Sequence, residues 1–219
     1  LPATVWAGYN NDNPFSSMHP RHRFRHFVAS LKELDLAFAY RPKNVVDFEQ
    51  AGAPRAVLLP PWYIPEMDRP FDLSDDDRIR FGCDLAFIGH YEADGRLQKL
   101  EALAEAGHDV RLFGTGWDRV SLSSRLSRNG PVRPVRGPDY RKALCAAKIA
   151  LVFLSKVNDD CYTRRNFEIP ATGTFMLSEF SDELAALFEP GVHADYFSDQ
   201  AELLAKAELY LRDEERRKT

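Results

Sequence analysis

The sequence predicts an α/β protein built from two doubly wound domains, the N-terminal one incomplete. Three observations carry this. Short apolar runs alternate with segments of helical periodicity along most of the 219 residues. Such alternation is the mark of parallel strands joined by crossover helices. A Pro- and Asp-rich tract, WYIPEMDRPFDLSDDDRIR (62–80), interrupts the rhythm without a sustained period of its own. Beyond it the rhythm restarts. The boundary is expected near Asp75, giving a partial first domain with its linker over 1–74 and a second domain over 75–219.

In order, Thr4 to Tyr9 alternates apolar and small residues and reads as a strand running into the turn formers NNDNP. Phe24, Phe27, Val28 and Leu31 stand at helical spacing within Pro20 to Leu34 and give a helix with a basic outer face that includes Arg21. LDLAFAY is a strand, PKNVVDFEQAG a short helix closed by Gly52, and APRAVLLPP a third strand halted by Pro60 and Pro61. Three strands are fewer than a usual Rossmann half provides. After the linker come strand CDLAFIG, helix GRLQKLEALAEAG, strand DVRLFG, a long polar segment, strand-like VRPVRG, helix DYRKALCAAK and strand IALVFL. Helix RRNFEIPAT, strand TFMLSE, helix SDELAALF, the short segment HADYF and one long amphipathic helix to Lys218 complete the second domain.

Composition excludes several classes. A net charge of −4 argues against a broad nucleic-acid footprint. The longest apolar run, Ile149 to Leu154, is far below the roughly 20 residues that span a bilayer. Cys83, Cys145 and Cys161 are widely separated with no CxxC pair, so neither a disulfide framework nor a zinc knuckle is expected and a reducing cytoplasm suits the chain. LPATVWAG has neither an initiator Met nor the pattern of a secretory signal, and the chain ends within a helical pattern, so a fragment of a longer protein is expected.

Two domains joined by a linker create a cleft, a common ligand site. Within the second domain, NDDCYTRRNFEIPATGTFMLSE (158–179) follows a strand and opens a helix, which is where an open parallel sheet binds ligands. The helix-start amides with Arg164 and Arg165 suit an anion. Glu168 has two readings: an i, i+4 ion pair with Arg164, or an acceptor for the two hydroxyls of a ribose. Asp159 and Asp160 are either loop acids or site acids. Gly89 ends a strand and permits close approach to a phosphate, or only makes a tight turn; G-x-G-x-x-G is missing. His90 follows it. Arg96 either reaches the same phosphate or is a solvated helix residue. Gly114 and Gly116 form a second glycine-rich strand end, and at Val135-Arg136-Gly137 a planar base could lie against backbone and the Arg136 stem. His19, His22 and His26 fall near one helix face but lack an acid or Cys in phase, so a surface reading is preferred to a metal site. His19 could alternatively serve as a polar contact or base. No Ser-His-Asp order, H-E-x-x-H or P-loop is present.

These residues resemble a family, the GT-B glycosyltransferases, and within it the group-1 type related to the spore-maturation protein CgeB. NDNP, LDLAFAY and VLLPPW resemble the end of that family's first domain. CDLAFIGHYEADGRLQKLEAL, VRLFGTGW, YRKALCAAKIALVFL, RRNFEIPATGTFML and LFEPG resemble its donor-binding second domain in order and spacing. The resemblance implies that Asp160 and Glu168 are the family's two acids flanking seven residues, with Asp in place of the usual first Glu. It implies that Glu168 holds the ribose, that Gly89 lies by the diphosphate, and that Arg96 or Arg164 neutralises charge in place of a metal. Asn166, His90, Gly114 and Arg136 complete the implied donor set. The substrate would be a nucleoside-diphosphate sugar, with no further cofactor. The acceptor, a saccharide, a lipid-linked sugar or a protein, would enter near Asp12, Asn13 and His19. If the reaction inverts, Asp12 or His19 is the base; if it retains, as the spaced acids hint, the departing phosphate takes the proton. A non-catalytic nucleotide-sugar-binding or scaffold protein, and a nucleotide-sugar epimerase of the same fold, are the competing readings.

Overall fold

A computed structural model describes residues 4–20 and 22–218. Leu1 to Ala3, Arg21 of the expected basic helix face, and Thr219 lie outside them. Chain contacts divide the protein into two compact units: residues 1–62 with 155–161, and residues 63–154 with 162–219.

The first unit holds three parallel strands in the order β1 (Ala7–Asn10), β2 (Leu36–Ala39), β3 (Ala56–Leu58). Leu31, Ala37, Ala39, Phe48 and Ala56 form its dry core, with Phe27 and Val45 packed against it. The helix expected over Pro20 to Leu34 is shorter. Only α1 (Arg25–Ser30) is α-helical, and Leu31–Glu33 tightens into a 3-10 turn. No side chain caps its start, and no basic residue lies in its last turn, so the ends have little to hold them. Helix α2 (Pro42–Gln50) begins on proline, whose missing N–H costs nothing at that position, and Gly52 after it takes a left-handed φ of 101°.

The segment expected to be a featureless linker contains α3 (Asp75–Phe81). A reciprocal capping box makes it: Ser74 Oγ accepts from the Asp77 N–H at 3.2 Å while Asp77 Oδ2 accepts from the Ser74 N–H at 3.2 Å. Asp75, Asp76 and Asp77 oppose the helix dipole at its start, and Arg78 and Arg80 suit its end. A signal of charge and capping, not of apolar period, specifies this helix.

The second unit carries five parallel strands: β4 (Cys83–Ile88), β5 (Val110–Phe113), β6 (Ala147–Val152), β7 (Phe175–Glu179) and β8 (Asp195–Phe197). Their order across the sheet is β5-β4-β6-β7-β8. Helices α4 (Arg96–Glu105) and α8 (Gln200–Arg212) cover one face, where Leu85, Phe87, Ile149, Leu151 and Phe197 meet Leu100, Leu103, Leu203 and Ala207. Burial of each such side chain contributes about 1.5–3 kcal/mol. Helix α5 (Pro138–Ala146) packs beside α3, tied by Lys142 to Asp77 at 2.9 Å. Helices α6 (Arg165–Ala171) and α7 (Asp182–Leu187) follow β6 and β7. Two expectations change here. VRPVRG pairs with no strand, since Pro131 and Pro134 offer no N–H; one bond, Gly114 N–H to Arg133 O at 3.1 Å, runs it beside β5. The last helix is two, α8 and α9 (Glu214–Lys218), parted at Asp213. No helix among the described residues is long and apolar enough to cross a membrane.

Ser74→Ala removes half of the capping box. It is expected to lower stability by about 1 kcal/mol in chemical denaturation, with the native fold retained.

Candidate functional site

Renumbered from β4, the five-stranded sheet has the order 2-1-3-4-5. In this topology the connections leave to opposite sides at one point, between β4 and β6, and ligands bind outside the carboxyl ends of the strands there. Gly89 and His90 follow the end of β4 at that point.

Gly89 and Gly114 explain each other sterically. A Cβ on Gly114 would lie 1.9 Å from the Gly89 carbonyl oxygen, and φ at Gly114 is 146°. A Cβ on Gly89 would meet the Phe87 ring at 2.6 Å. The two strand ends are laced together by Gly89 N–H to Phe113 O at 2.8 Å, Tyr91 N–H to Thr115 O at 2.9 Å and Trp117 Nε1–H to Gly89 O at 2.9 Å. Phe87, Trp117 and Tyr91 stack edge-on beneath the loop. The backbone beyond β4 is thereby fixed before any ligand arrives.

Arg96 completes this lock from inside. It is 3% exposed, grips Asp94 through Nε at 2.8 Å and a terminal nitrogen at 2.6 Å, donates to the His90 carbonyl at 2.8 Å and pairs with Glu92 at 3.3 Å. It was expected at a phosphate. The structure spends its donors on the 90–96 loop, which the nearby acids at 92 and 94 made possible. His90 is exposed, with Nε2 2.7 Å from Glu92 Oε1.

On α6, Glu168 is buried. Arg164 Nε meets one carboxylate oxygen at 2.7 Å and the Tyr140 hydroxyl donates to the other at 2.6 Å. The i, i+4 ion pair is therefore formed, and with it a partner from α5. Burial, then the Glu168 charge, pushes the Tyr140 phenol far above its usual range, so Tyr140 stays a donor. Tyr140 is a site residue that sequence reasoning missed; an isolated Tyr at a helix start carries no signal until the fold brings it to Glu168. Asn166, expected with the donor set, is fully buried: its carbonyl accepts from the Thr163 N–H at 2.7 Å and its amide donates to Ser178 Oγ at 3.0 Å. It ties the start of α6 to β7. The anion role expected of the helix-start amides falls on a helix of only 7 residues, which has a small dipole. Arg136 is exposed on the segment beside β5, just before α5, and Gly114 acts through backbone shape.

The first unit gathers the other expected residues. Asn158 accepts from the Asn13 N–H at 3.0 Å, sits 2.8 Å from His19 Nε2 and donates to Asp12 at 3.2 Å. Asn13 donates to Asp159 at 3.1 Å and accepts from Asn44 at 2.9 Å. Asp159 holds a positive φ of 51°, the left-handed region that Asp tolerates better than most side chains. Asp160 forms a buried pair with Arg41, whose Nε donates at 2.8 Å and whose other side donates to Asn11 O at 3.0 Å. Asp12 and His19 thus share one polar network through Asn158, while Asp160 is held by Arg41, which also reaches the loop after β1 at Asn11. Arg41 was not foreseen: its partner lies 119 positions away.

A family model described as glycosyl transferase-like matches residues 96–219, more than half of the chain. The chain belongs to that family. No curated protein sequence matches it. Among solved structures, sucrose-phosphate synthase (tll1590) from Thermosynechococcus elongatus superposes with a TM-score of 0.69 at 14% identity, over 98% of this chain and 60% of its own. Anabaena Alr3699/HepE in complex with UDP and glucose gives 0.68 at 14% identity, over 97% of this chain and 63% of that one. A trehalose-6-phosphate synthase, from a study of glycosyl transfer with retention, gives 0.58 at 11% identity, over 96% and 61%. At such identities the likeness concerns the fold, that of GT-B glycosyltransferases, and the chain spans about three fifths of the length of these structures.

Two substitutions test the locks. Gly114→Ala is expected to cost about 2 kcal/mol or more, because backbone must move off the Gly89 carbonyl. Arg41→Ala strands a buried carboxylate and is expected to cost about 3–5 kcal/mol in chemical denaturation.

Proposed function

We propose that this protein transfers a sugar from a nucleoside-diphosphate sugar to a hydroxyl acceptor, with retention and without a metal. The observation that carries the proposal is topological. The 2-1-3-4-5 order sets a rigid, glycine-laced loop at the switch point, and the following crossover brings in α6 with a buried carboxylate, Glu168. The family match, residues 96–219, covers Gly114 and α6 with Glu168 but begins after Gly89 and His90, and one solved structure of this fold was determined with UDP and glucose.

In this reading Glu168 accepts from the ribose hydroxyls, a task for which Tyr140 and Arg164 fix its orientation. The Gly89 backbone lies by the diphosphate, which can approach where no Cβ intervenes. His90 and Arg164, both exposed on one side, are the side chains that can meet phosphate oxygens, and Arg164 offsets charge on the leaving group electrostatically. Arg96 and Asn166 position the loop and helix. In transfer with retention the bond from the anomeric carbon to the phosphate oxygen breaks, the acceptor oxygen bonds to the same carbon on the same face, and the acceptor proton passes to the departing phosphate. The trehalose-6-phosphate synthase likeness supports this course over inversion, for which Asp12 or His19 would be the base. Asp160 then steadies the sugar end. The acceptor is a saccharide, a lipid-linked sugar or a protein, the finer kinship is to the group-1 type related to CgeB, and the setting is the cytoplasm, which suits three cysteines outside any disulfide.

One observation favours a second reading, a non-catalytic nucleotide-sugar-binding protein. Asp160 is already engaged in a buried pair with Arg41. A donor-hydrolysis assay on the full-length protein separates the two: release of nucleoside diphosphate supports transfer, while nucleotide binding without turnover of any donor supports binding alone.

Glu168→Ala is expected to weaken nucleoside-diphosphate affinity at least several-fold in calorimetry, and unchanged affinity removes Glu168 from the ribose. Arg164→Ala is expected to lower turnover at least tenfold with a change in melting temperature of only a few degrees; full activity removes Arg164 from the mechanism.

A further inference from the structure

Residues 131–136 read Pro-Val-Arg twice in succession. Proline fixes its own φ and disfavours helix for the residue before it, and here Gly130, Arg133 and Gly137 each precede a proline. The segment should therefore run extended, close to three residues per turn. Equivalent residues of the repeat then share one side, about 9 Å apart along it. Residues 132–136 are neither helix nor strand. Val132 packs on the core, whereas Arg133 and Arg136 are exposed.

The repeat borders a cleft of about 540 Å³ beside the edge strand β5. That size falls within the range of roughly 300–1,000 Å³ in which small-molecule sites lie. Arg80 and Arg111 line it as well, and Asp139 is the sole acid in the lining. Arg80 already neutralises Asp139 at 2.7 Å. Arg111 donates to the carbonyls of Arg80 and Ile79, and its Nε is buried with no acceptor. Among the described residues the side chains of Arg133 and Arg136 have no hydrogen-bond or ion-pair partner. A surplus of guanidinium charge is thus gathered on one cleft of a chain whose net charge is −4. Guanidinium groups match phosphate geometry, and unpaired ones lose no existing partner on binding. The floor is apolar, with the Phe81 and Phe113 rings 6.1 Å apart.

We propose that this cleft is a second anion site, which takes a small soluble organic phosphate: the phosphate between Arg133 and Arg136, the apolar or planar body against Phe113. The proposal does not depend on the Glu168 ribose contact; Arg136 is the one residue it shares with the donor set that the resemblance implies, and the Glu168→Ala arm below separates the two sites.

The test is a titration of the ¹⁵N-labelled chain with inorganic pyrophosphate, followed at the amides of residues 129–137. Saturable shifts there are expected, weakened in 0.5 M salt as a charge contact requires. In the R133E/R136E variant, which loses no internal partner, apparent affinity at these amides should fall at least tenfold with the melting temperature preserved. In Glu168→Ala it should be unchanged, which keeps this site distinct from the ribose site. Amides that do not respond in the unmodified chain, or that respond with equal affinity in the double variant, overturn the proposal. Phosphatidylcholine vesicles containing phosphatidic acid provide a second arm. No response at these amides supports a soluble ligand, and broadening of them would overturn the small-ligand assignment in favour of a lipid headgroup.

Discussion

The carbonyl oxygen of Gly89 occupies the space that a side chain on residue 114 would need. Most of the donor-side account depends on that contact. With the two strand ends pressed together, the loop after β4 cannot sag towards the sheet, and Trp117 Nε1–H holds the same carbonyl from below. Arg96 then anchors the far end of the loop on Asp94, Glu92 and the His90 carbonyl. A buried guanidinium with this many acceptors is costly to disturb, because losing any acceptor leaves charge without compensation in a poorly solvated place. The result is backbone shaped in advance, which is what a phosphate contact requires if binding energy is not to be spent on ordering the loop.

The first unit solves a different problem. Its sheet has only three short strands and a small dry core, and the loop of residues 155–161 clusters with it across a long stretch of sequence. Polar bonds do this joining: Asn13, Asn44 and the side chains of the Arg41–Asp160 pair are buried, and Asn158 is partly so. Each is satisfied chiefly by another member, so the network stands or falls together. Asn44 Oδ1 is the buried atom in this group without a partner.

Apolar period told most of the fold. Strands such as CDLAFIG and IALVFL and the helices around Leu100 and Leu203 announce themselves because burial on both faces of a parallel sheet demands continuous apolar runs. What escaped was specified by other chemistry. Helix α3 rests on Ser74 and three aspartates, α1 was overextended because its apolar residues continue past its hydrogen bonds, and 132–137 was called to the sheet by its valines and refused by its prolines. The site was legible only in outline. Glu168 and Arg164 could be singled out because four residues bring them onto one face, but Tyr140 and Arg41 reach their partners through tertiary folding alone. Arg96 misled because a helix-start arginine after a glycine looks like a phosphate ligand, while its acids at 92 and 94 were the nearer competitors.

The account centres on a nucleoside diphosphate bound at the carboxyl end of β4, with its ribose on Glu168. Crystals of the chain grown with UDP would test this directly. The account predicts density for the diphosphate against the Gly89–His90 backbone and Arg164, with both ribose hydroxyls within hydrogen-bond distance of the Glu168 carboxylate. Nucleotide density elsewhere, or a ribose with neither hydroxyl near the Glu168 carboxylate, would contradict it.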